Sequence, residues 1–101
     1  MLRFIGLDIG TTTISAIAID GENGKVLKAI TVDNDTAISS ENKARRMQEP
    51  EKIKQKVFDL KEQLVKEFAP ITAIGVTGQM HGILYIDKNG SSVSPLYTWQ
   101  D

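Results

Sequence analysis

The chain has 101 residues, the size of one domain rather than two. It is 41% hydrophobic and 25% charged, as in ordinary globular proteins, and its net charge of −1 excludes a basic surface for nucleic acid or anionic membrane. The lack of cysteine excludes disulfides and thiolate-bound metals. No apolar run approaches the roughly 20 residues of a membrane helix, and the N-terminus lacks a signal cleavage site. We therefore expect a soluble, cytoplasmic protein.

The first 33 residues predict a three-stranded antiparallel meander. Residues 2–10 and 13–20 are apolar, β-branched segments joined by a turn of threonines after Gly10. Asn23-Gly24 is a strong hairpin signal, and residues 25–33 alternate in the manner of a third strand.

Residues 34–48 are polar and show no steady period, which predicts a loop with at most a short turn of helix. The Arg45-Arg46 pair in this loop could contact an anion, but a solvated position is the favoured interpretation.

Residues 49–68 predict a helix. Pro50 suits the first helical position, Glu49 and Glu51 complement the helix dipole there, and Pro70 ends the helix. Apolar residues recur at spacings of three and four and form a stripe for packing against a core: Ile53, Val57, Leu60, Leu64 and Phe68.

The last third of the chain predicts further strands. Residues 71–78 follow the helix as a crossover strand, and residues 82–87 and 93–99 flank an Asn-Gly turn. The order βββ-α-β-β(β) predicts an α/β layer fold with a mixed sheet. One helix covers one face only, so the other face would expose apolar surface and favour self-association.

A first candidate site is the segment around Asp8 and the turn that follows it. A carboxylate near the end of a buried strand needs a partner. Backbone N–H groups of a glycine turn and threonine hydroxyls can wrap a phosphate, and the carboxylate can hold Mg²⁺. The alternative is a hairpin whose Asp and Thr side chains satisfy turn hydrogen bonds. A Walker loop is excluded, since no Gly-Lys-Ser/Thr follows.

A second candidate site is the segment "GQMHG", residues 78–82, which contains the chain's one histidine, His81. A lone histidine is more often structural than a ligand. However, Gly78 and Gly82 allow a sharp turn, and the carboxyl ends of parallel strands line the ligand crevice of α/β sheets.

These segments carry a family resemblance. "GLDIGTTTISAIAID" resembles the phosphate-binding hairpin of the sugar kinase, Hsp70 and actin ATPase superfamily, which implies a ribonuclease H-like (actin-like ATPase) fold. "GQMHG", "QEPEKI" and "PLYTWQD" resemble motifs of the FGGY carbohydrate kinases, especially the xylulokinase-like and sedoheptulokinase-like members. Members of that family run to several hundred residues, so residues 1–101 would be the N-terminal part of the first lobe, a partial domain.

The resemblance implies an ATP-dependent ketose kinase that uses Mg²⁺. Asp8 would organise the metal-bound nucleotide, directly or through water. The phosphates would be approached by Gly10, Thr11, Thr12 and Thr13. The sugar, a ketose such as xylulose or sedoheptulose, would be contacted by Met80 and His81 with support from Gln79, and Trp99 and Asp101 would lie nearby.

The general base and the adenosine pocket of such kinases lie beyond Asp101, so we expect these 101 residues alone to be inactive. Two alternatives remain open. One is an actin- or Hsp70-like ATPase or activator without a sugar site, and the other is a non-catalytic assembly module.

Overall fold

The computed structural model describes residues 2–42, 45–79 and 81–101, which form two sheets and one helix. The strands and the helix follow in chain order: β1 (Arg3–Ile9), β2 (Thr13–Asp20), β3 (Val26–Asp33), β4 (Ala37–Ile38), β5 (Met47–Gln48), α1 (Pro50–Phe68), β6 (Ala73–Gly78) and β7 (Leu96–Tyr97).

The larger sheet has the strand order β3-β2-β1-β6. The pairs β1–β2 and β2–β3 are antiparallel, whereas β1 and β6 are parallel, with Asp8 opposite both Ser15 and Thr77. The predicted meander, crossover helix and mixed sheet are therefore confirmed. Because β1 and β6 run the same way, the residues that follow them lie at one end of the sheet.

Helix α1 packs its predicted stripe against one face of this sheet. The carboxylate of Glu49 caps the helix by accepting from the N–H of Glu51 at 3.2 Å, and Pro50 occupies the start, as predicted. The buried core joins the two layers: Ile5, Leu7, Ile14, Ala16, Ala18, Ile53, Val57, Leu60 and Leu64. In the described part of the chain, no helix is both long and apolar enough to cross a membrane.

The opposite face of the larger sheet is open, as predicted. Val76 (66% exposed) and Ile74 (44%) on the edge strand β6 pair with the buried Leu7 and Ile5, so they lie on the helix side of the sheet and not on this open face. A shallow groove of about 450 Å³ runs over the open face beside Gly6, Ile17 and Gly75.

Two sequence predictions are wrong in detail. Residues 34–48, predicted as a loop, contribute β4 and β5, which pair with β7 in a second sheet of order β4-β5-β7. Several polar side chains of this segment point inward and bond one another, so polarity there does not mark a solvated loop. Residues 82–87, predicted as a strand, make only isolated bridges, and their apolar side chains are exposed because no layer packs on them.

Candidate functional site

The turn between β1 and β2, residues 10–13, is called here the threonine turn. It closes through a hydrogen bond of 2.9 Å from the N–H of Gly10 to the carbonyl of Thr13. A Cβ atom at position 10 would lie 2.7 Å from that same carbonyl oxygen, so the turn requires glycine. The backbone is thus held tightly at the end of β1.

The carbonyls of the threonine turn are bound from one side by amide groups. The side chain of Asn34 donates to the carbonyl of Gly10 at 2.8 Å, and its backbone N–H donates to that of Thr12 at 2.8 Å. The side chain of Gln48 donates to the carbonyl of Thr11 at 2.9 Å. These bonds fix the orientation of successive peptide groups.

That orientation leaves donors on the other side of the turn. A peptide group is planar and trans, so the N–H that follows a bound carbonyl points the opposite way. No hydrogen bond within the described residues uses the N–H of Thr11 or of Thr12. Two adjacent N–H groups aimed away from the protein can bind an anion such as a phosphate.

Asp8 lies on β1, two residues before the threonine turn, and its side chain is exposed. The burial cost expected for this carboxylate from the sequence therefore does not arise. Among the described residues it has no hydrogen-bond or ion-pair partner, so its oxygens are available to a cation. No cluster of three metal-ligating side chains occurs in those residues. Asp8 fits Mg²⁺, which commonly takes one or two carboxylates and completes its shell with phosphates and water.

The segment after β6 is bonded to the same region. The side chain of Gln79 donates from Nε2 to the Oε1 of Gln48 at 2.8 Å. His81 is exposed and makes no hydrogen bond with the described residues. The sharp turn expected at Gly78 and Gly82 occurs at His81 itself, which has a φ of +59°. Met80, predicted to contact a sugar, lies outside the described residues.

The C-terminal residues also approach the threonine turn. The indole Nε1 of Trp99 donates to the hydroxyl of Thr11 at 3.2 Å. The carboxylate of Asp101 accepts from the guanidinium of Arg45 at 3.0 Å and from the backbone N–H of Arg46 at 2.7 Å. Arg45, predicted to be solvated, therefore contacts an anion of the chain and also lies 5.5 Å from the ring centre of Tyr97.

Hydrogen bonds thus connect the threonine turn with Gln79 through Gln48 and with Trp99 directly. Asp101 is bonded to Arg45 and Arg46. Asn34 and Gln48 are buried and hold the turn, although the sequence did not mark them as site residues. The one signal in the sequence was the position of Gln48 directly before Glu49, the residue that caps α1. A buried polar side chain at this position has backbone carbonyls within reach.

The sheet order and the glycine-threonine turn define a ribonuclease H-like (actin-like ATPase) fold. The same fold occurs in a ligand-bound xylulose kinase from Lactobacillus acidophilus, which matches with a TM-score of 0.87 and 24% identity over 100% of this chain and 20% of that one. Residues 3–101 match the family model described as the FGGY family of carbohydrate kinases, N-terminal domain. The chain belongs to the FGGY family of carbohydrate kinases, which confirms the resemblance drawn from its motifs.

Two curated relatives match over nearly all of the chain. The xylulose kinase of Staphylococcus xylosus is 26% identical over 100% of this chain and 21% of its own length. The gluconokinase of Bacillus subtilis (strain 168) is 30% identical over 96% of this chain and 19% of its own length. The chain therefore spans about a fifth of the length of the curated relatives it matches.

Proposed function

We propose that residues 1–101 are the N-terminal part of the first lobe of a kinase that transfers the γ-phosphoryl group of ATP to a sugar hydroxyl. Membership of the FGGY family supports this proposal. The observation that carries it is the hydrogen-bonded connection from the threonine turn through Gln48 to Gln79. It holds phosphate-binding donors beside the segment that contains His81.

On the phosphate side, the N–H groups of Thr11 and Thr12 donate to phosphate oxygens, and the hydroxyls of residues 11–13 supply further donors. Asp8 lies beside this turn and holds Mg²⁺, directly or through water. When bound, Mg²⁺ neutralises the charge of the phosphates and of the transferring group. Because Asp8 has no competing partner among the described residues, its charge is available for this role.

On the sugar side, the acceptor is a ketose such as xylulose or sedoheptulose. The imidazole of His81 can both donate to and accept from hydroxyls, and the exposed indole of Trp99 offers a flat apolar surface to the C–H face of a sugar. Gln79 supports His81 through its bond to Gln48. Asp101 contributes to sugar binding through the carboxylate lone pairs that its bonds to Arg45 and Arg46 do not use.

The chain alone is proposed to be inactive. Phosphoryl transfer depends on positioning and on charge stabilisation around the whole reacting group. The groups described above surround the phosphates and the sugar from one side only. A general base for the sugar hydroxyl and an adenosine pocket must come from the remaining four fifths of a protein as long as the relatives.

The experiment is to measure ATP consumption by the full-length protein with D-xylulose, sedoheptulose and gluconate in turn. Sugar-dependent consumption is expected, and Asp8→Asn should lower kcat by about 10²- to 10³-fold, as for loss of one preorganised charge-stabilising group. Asp59→Asn, on the exposed face of α1, is the matched control and should leave kcat unchanged. Full activity of Asp8→Asn would rule out the role of this carboxylate.

A second measurement separates a sugar kinase from an actin- or Hsp70-like ATPase. In a kinase, His81→Ala should raise the KM for the sugar while nucleotide binding, followed by calorimetry, persists. In an ATPase without a sugar site, this substitution should change neither quantity. Unchanged sugar dependence would contradict the sugar-facing position of His81.

The open sheet face is the proposed surface for self-association of the 101-residue chain. Ile17 lines the groove on that face, beside Gly6 and Gly75. Light scattering during size-exclusion chromatography should give a mass above that of one chain, and Ile17→Lys should shift the mass toward that of one chain. A monomer at all concentrations would contradict this proposal.

A further inference from the structure

Gln48 occupies an unusual position for a polar side chain. It is 5% exposed, and both ends of its carboxamide are bonded: Nε2 donates to the carbonyl of Thr11 at 2.9 Å, and Oε1 accepts from Gln79 at 2.8 Å. A second donor, the side chain of Asn34, lies 3.4 Å from the same Oε1. The carboxamide therefore bridges the threonine turn and the segment after β6.

The backbone of Gln48 is itself held on both sides. It lies on the central strand of the smaller sheet, opposite Ala37 on β4 and Leu96 on β7. The next residue, Glu49, caps α1 and donates its N–H to the carbonyl of Thr36 at 2.9 Å. Because its backbone is held in place, the side chain of Gln48 transmits a displacement of Gln79 to the threonine turn, and a displacement of the turn to Gln79.

The polarity of this bridge is fixed. The carbonyl of Thr11 can only accept, so the NH₂ group of Gln48 must face the turn and its oxygen must face Gln79. The peptide group whose oxygen is held in this way carries the N–H of Thr12, one of the two free donors of the turn. The direction of that donor therefore depends on the carboxamide of Gln48.

We propose that Gln48 is a positioning residue that couples the segment containing His81 to the threonine turn. The inference rests on the proposed kinase function. Through Gln48 the sugar side and the phosphate side of the site keep a fixed relative position. Gln48 touches neither substrate. It acts through the carbonyl of Thr11 and the side chain of Gln79.

The side chain of Gln79 supplies a second variant that leaves the turn intact. Its Oε1 is buried and has no hydrogen-bond partner among the described residues. Gln79→Leu removes this unsatisfied oxygen together with the bond to Gln48, whose Oε1 keeps the donor of Asn34 at 3.4 Å, so the folded protein should tolerate the substitution. The bond from Gln48 to Thr11 remains in this variant.

The experiment compares Gln48→Leu, Gln79→Leu and the double variant in the full-length protein, with the exposed Gln55→Leu as the matched control. We expect Gln48→Leu to lower kcat by about 10- to 100-fold, the effect of misplacing reacting groups by about 1 Å, with the KM for D-xylulose changed less than about threefold. The double variant should lose no more kcat than Gln48→Leu, because both substitutions break one connection. Gln55→Leu should match wild type.

The outcomes are distinct. Wild-type kcat in Gln48→Leu, or losses of kcat that add in the double variant, would overturn the coupling role while leaving the kinase function standing. If Gln48→Leu does not fold, the single variant Gln79→Leu decides: a loss of kcat without a matching rise in KM supports the coupling, and wild-type kcat overturns it. A wild-type protein without sugar-dependent ATP consumption would overturn the proposed function and this inference together.

Discussion

The indole of Trp99 donates a hydrogen bond of 3.2 Å to the hydroxyl of Thr11, 88 positions earlier in the chain. Thr11 also accepts from the side chain of Gln48 through its carbonyl. One residue of the threonine turn therefore meets the C-terminal segment through its side chain and the smaller sheet through its backbone. This double contact places Thr11, a proposed phosphate-binding residue, next to Trp99, a proposed sugar-binding residue.

Trp99→Phe tests the bond to Thr11 because it removes the N–H and keeps an aromatic ring. The loss of one hydrogen bond, about 0.5–1.5 kcal/mol, should raise the KM for ATP about 2- to 10-fold. Combined with Thr11→Val the effects should not add, whereas with Thr12→Val they should. Steady-state kinetics of the full-length protein measure this, and additive losses with Thr11→Val would contradict a functional bond.

Gly10→Ala tests the tightness of the threonine turn. The new methyl group would meet the carbonyl oxygen of Thr13 at 2.7 Å, and that oxygen is already bound by the N–H of residue 10. We expect a loss of about 1–3 kcal/mol in the free energy of unfolding, measured by urea denaturation. Gly75→Ala on β6 is the control, because its methyl group would meet nothing within 4 Å. A change of less than about 0.5 kcal/mol is expected there.

Local patterns in the sequence predicted the larger sheet and the helix well. The alternation along β3 and the stripe of Ile53, Val57 and Leu60 each arise within one element, so neighbouring residues reveal them. The smaller sheet could not be predicted in this way. Its strands are two residues long, and Gln48 pairs with Leu96 far along the chain, so no local period exists.

The candidate site likewise combines residues that local sequence patterns predicted with residues that they did not. Asp8, the threonine turn and His81 belong to compact motifs, and their common end of the sheet follows from the parallel pairing of β1 and β6. The buried amides of Asn34 and Gln48 lie in a segment whose polarity predicted solvent exposure. Their inward orientation depends on carbonyls of the turn, which only the folded chain brings within reach.

Leu64→Ala tests the single core between α1 and the larger sheet. The side chain of Leu64 is fully buried, so its removal leaves a cavity as well as lost apolar burial. We expect a loss of about 2–5 kcal/mol in the free energy of unfolding, with an earlier thermal transition. Gln63→Ala, one position earlier on the exposed face, should change it by less than about 0.5 kcal/mol. Equal effects of the two substitutions would contradict this packing.

The ion pair between Asp35 and Lys56 predicts a titration. The Lys56 ammonium lies 2.7 Å from the carboxylate, and its hydrogen bond and charge hold the pKa of Asp35 below the ordinary value. A lowered pKa means that this pair stabilises the folded state above about pH 4 and that the contribution is lost as the pH falls through the lowered pKa. NMR titration of the carboxyl carbon of Asp35 should show an ordinary aspartate midpoint in the variant Lys56→Met. A midpoint in this variant equal to that of the wild-type protein would exclude the ion pair.

His81 adopts a φ of +59°, a conformation that costs most residues about 1–2 kcal/mol and glycine almost nothing. His81→Gly should therefore fold at least as stably as His81→Ala in urea denaturation. If the imidazole binds the sugar, both variants should raise the KM for the sugar alike, by about tenfold or more, as for loss of a hydrogen bond worth about 1.4 kcal/mol.

The two substitutions separate a binding role of His81 from a structural one. If the residue served only to shape the turn, glycine would preserve the backbone conformation, and His81→Gly would keep the wild-type KM while His81→Ala would not. A wild-type KM in His81→Gly would thus assign His81 to the turn. Equal loss in both variants, at different stabilities, would assign it to the ligand, because the imidazole is the only group that both variants lack.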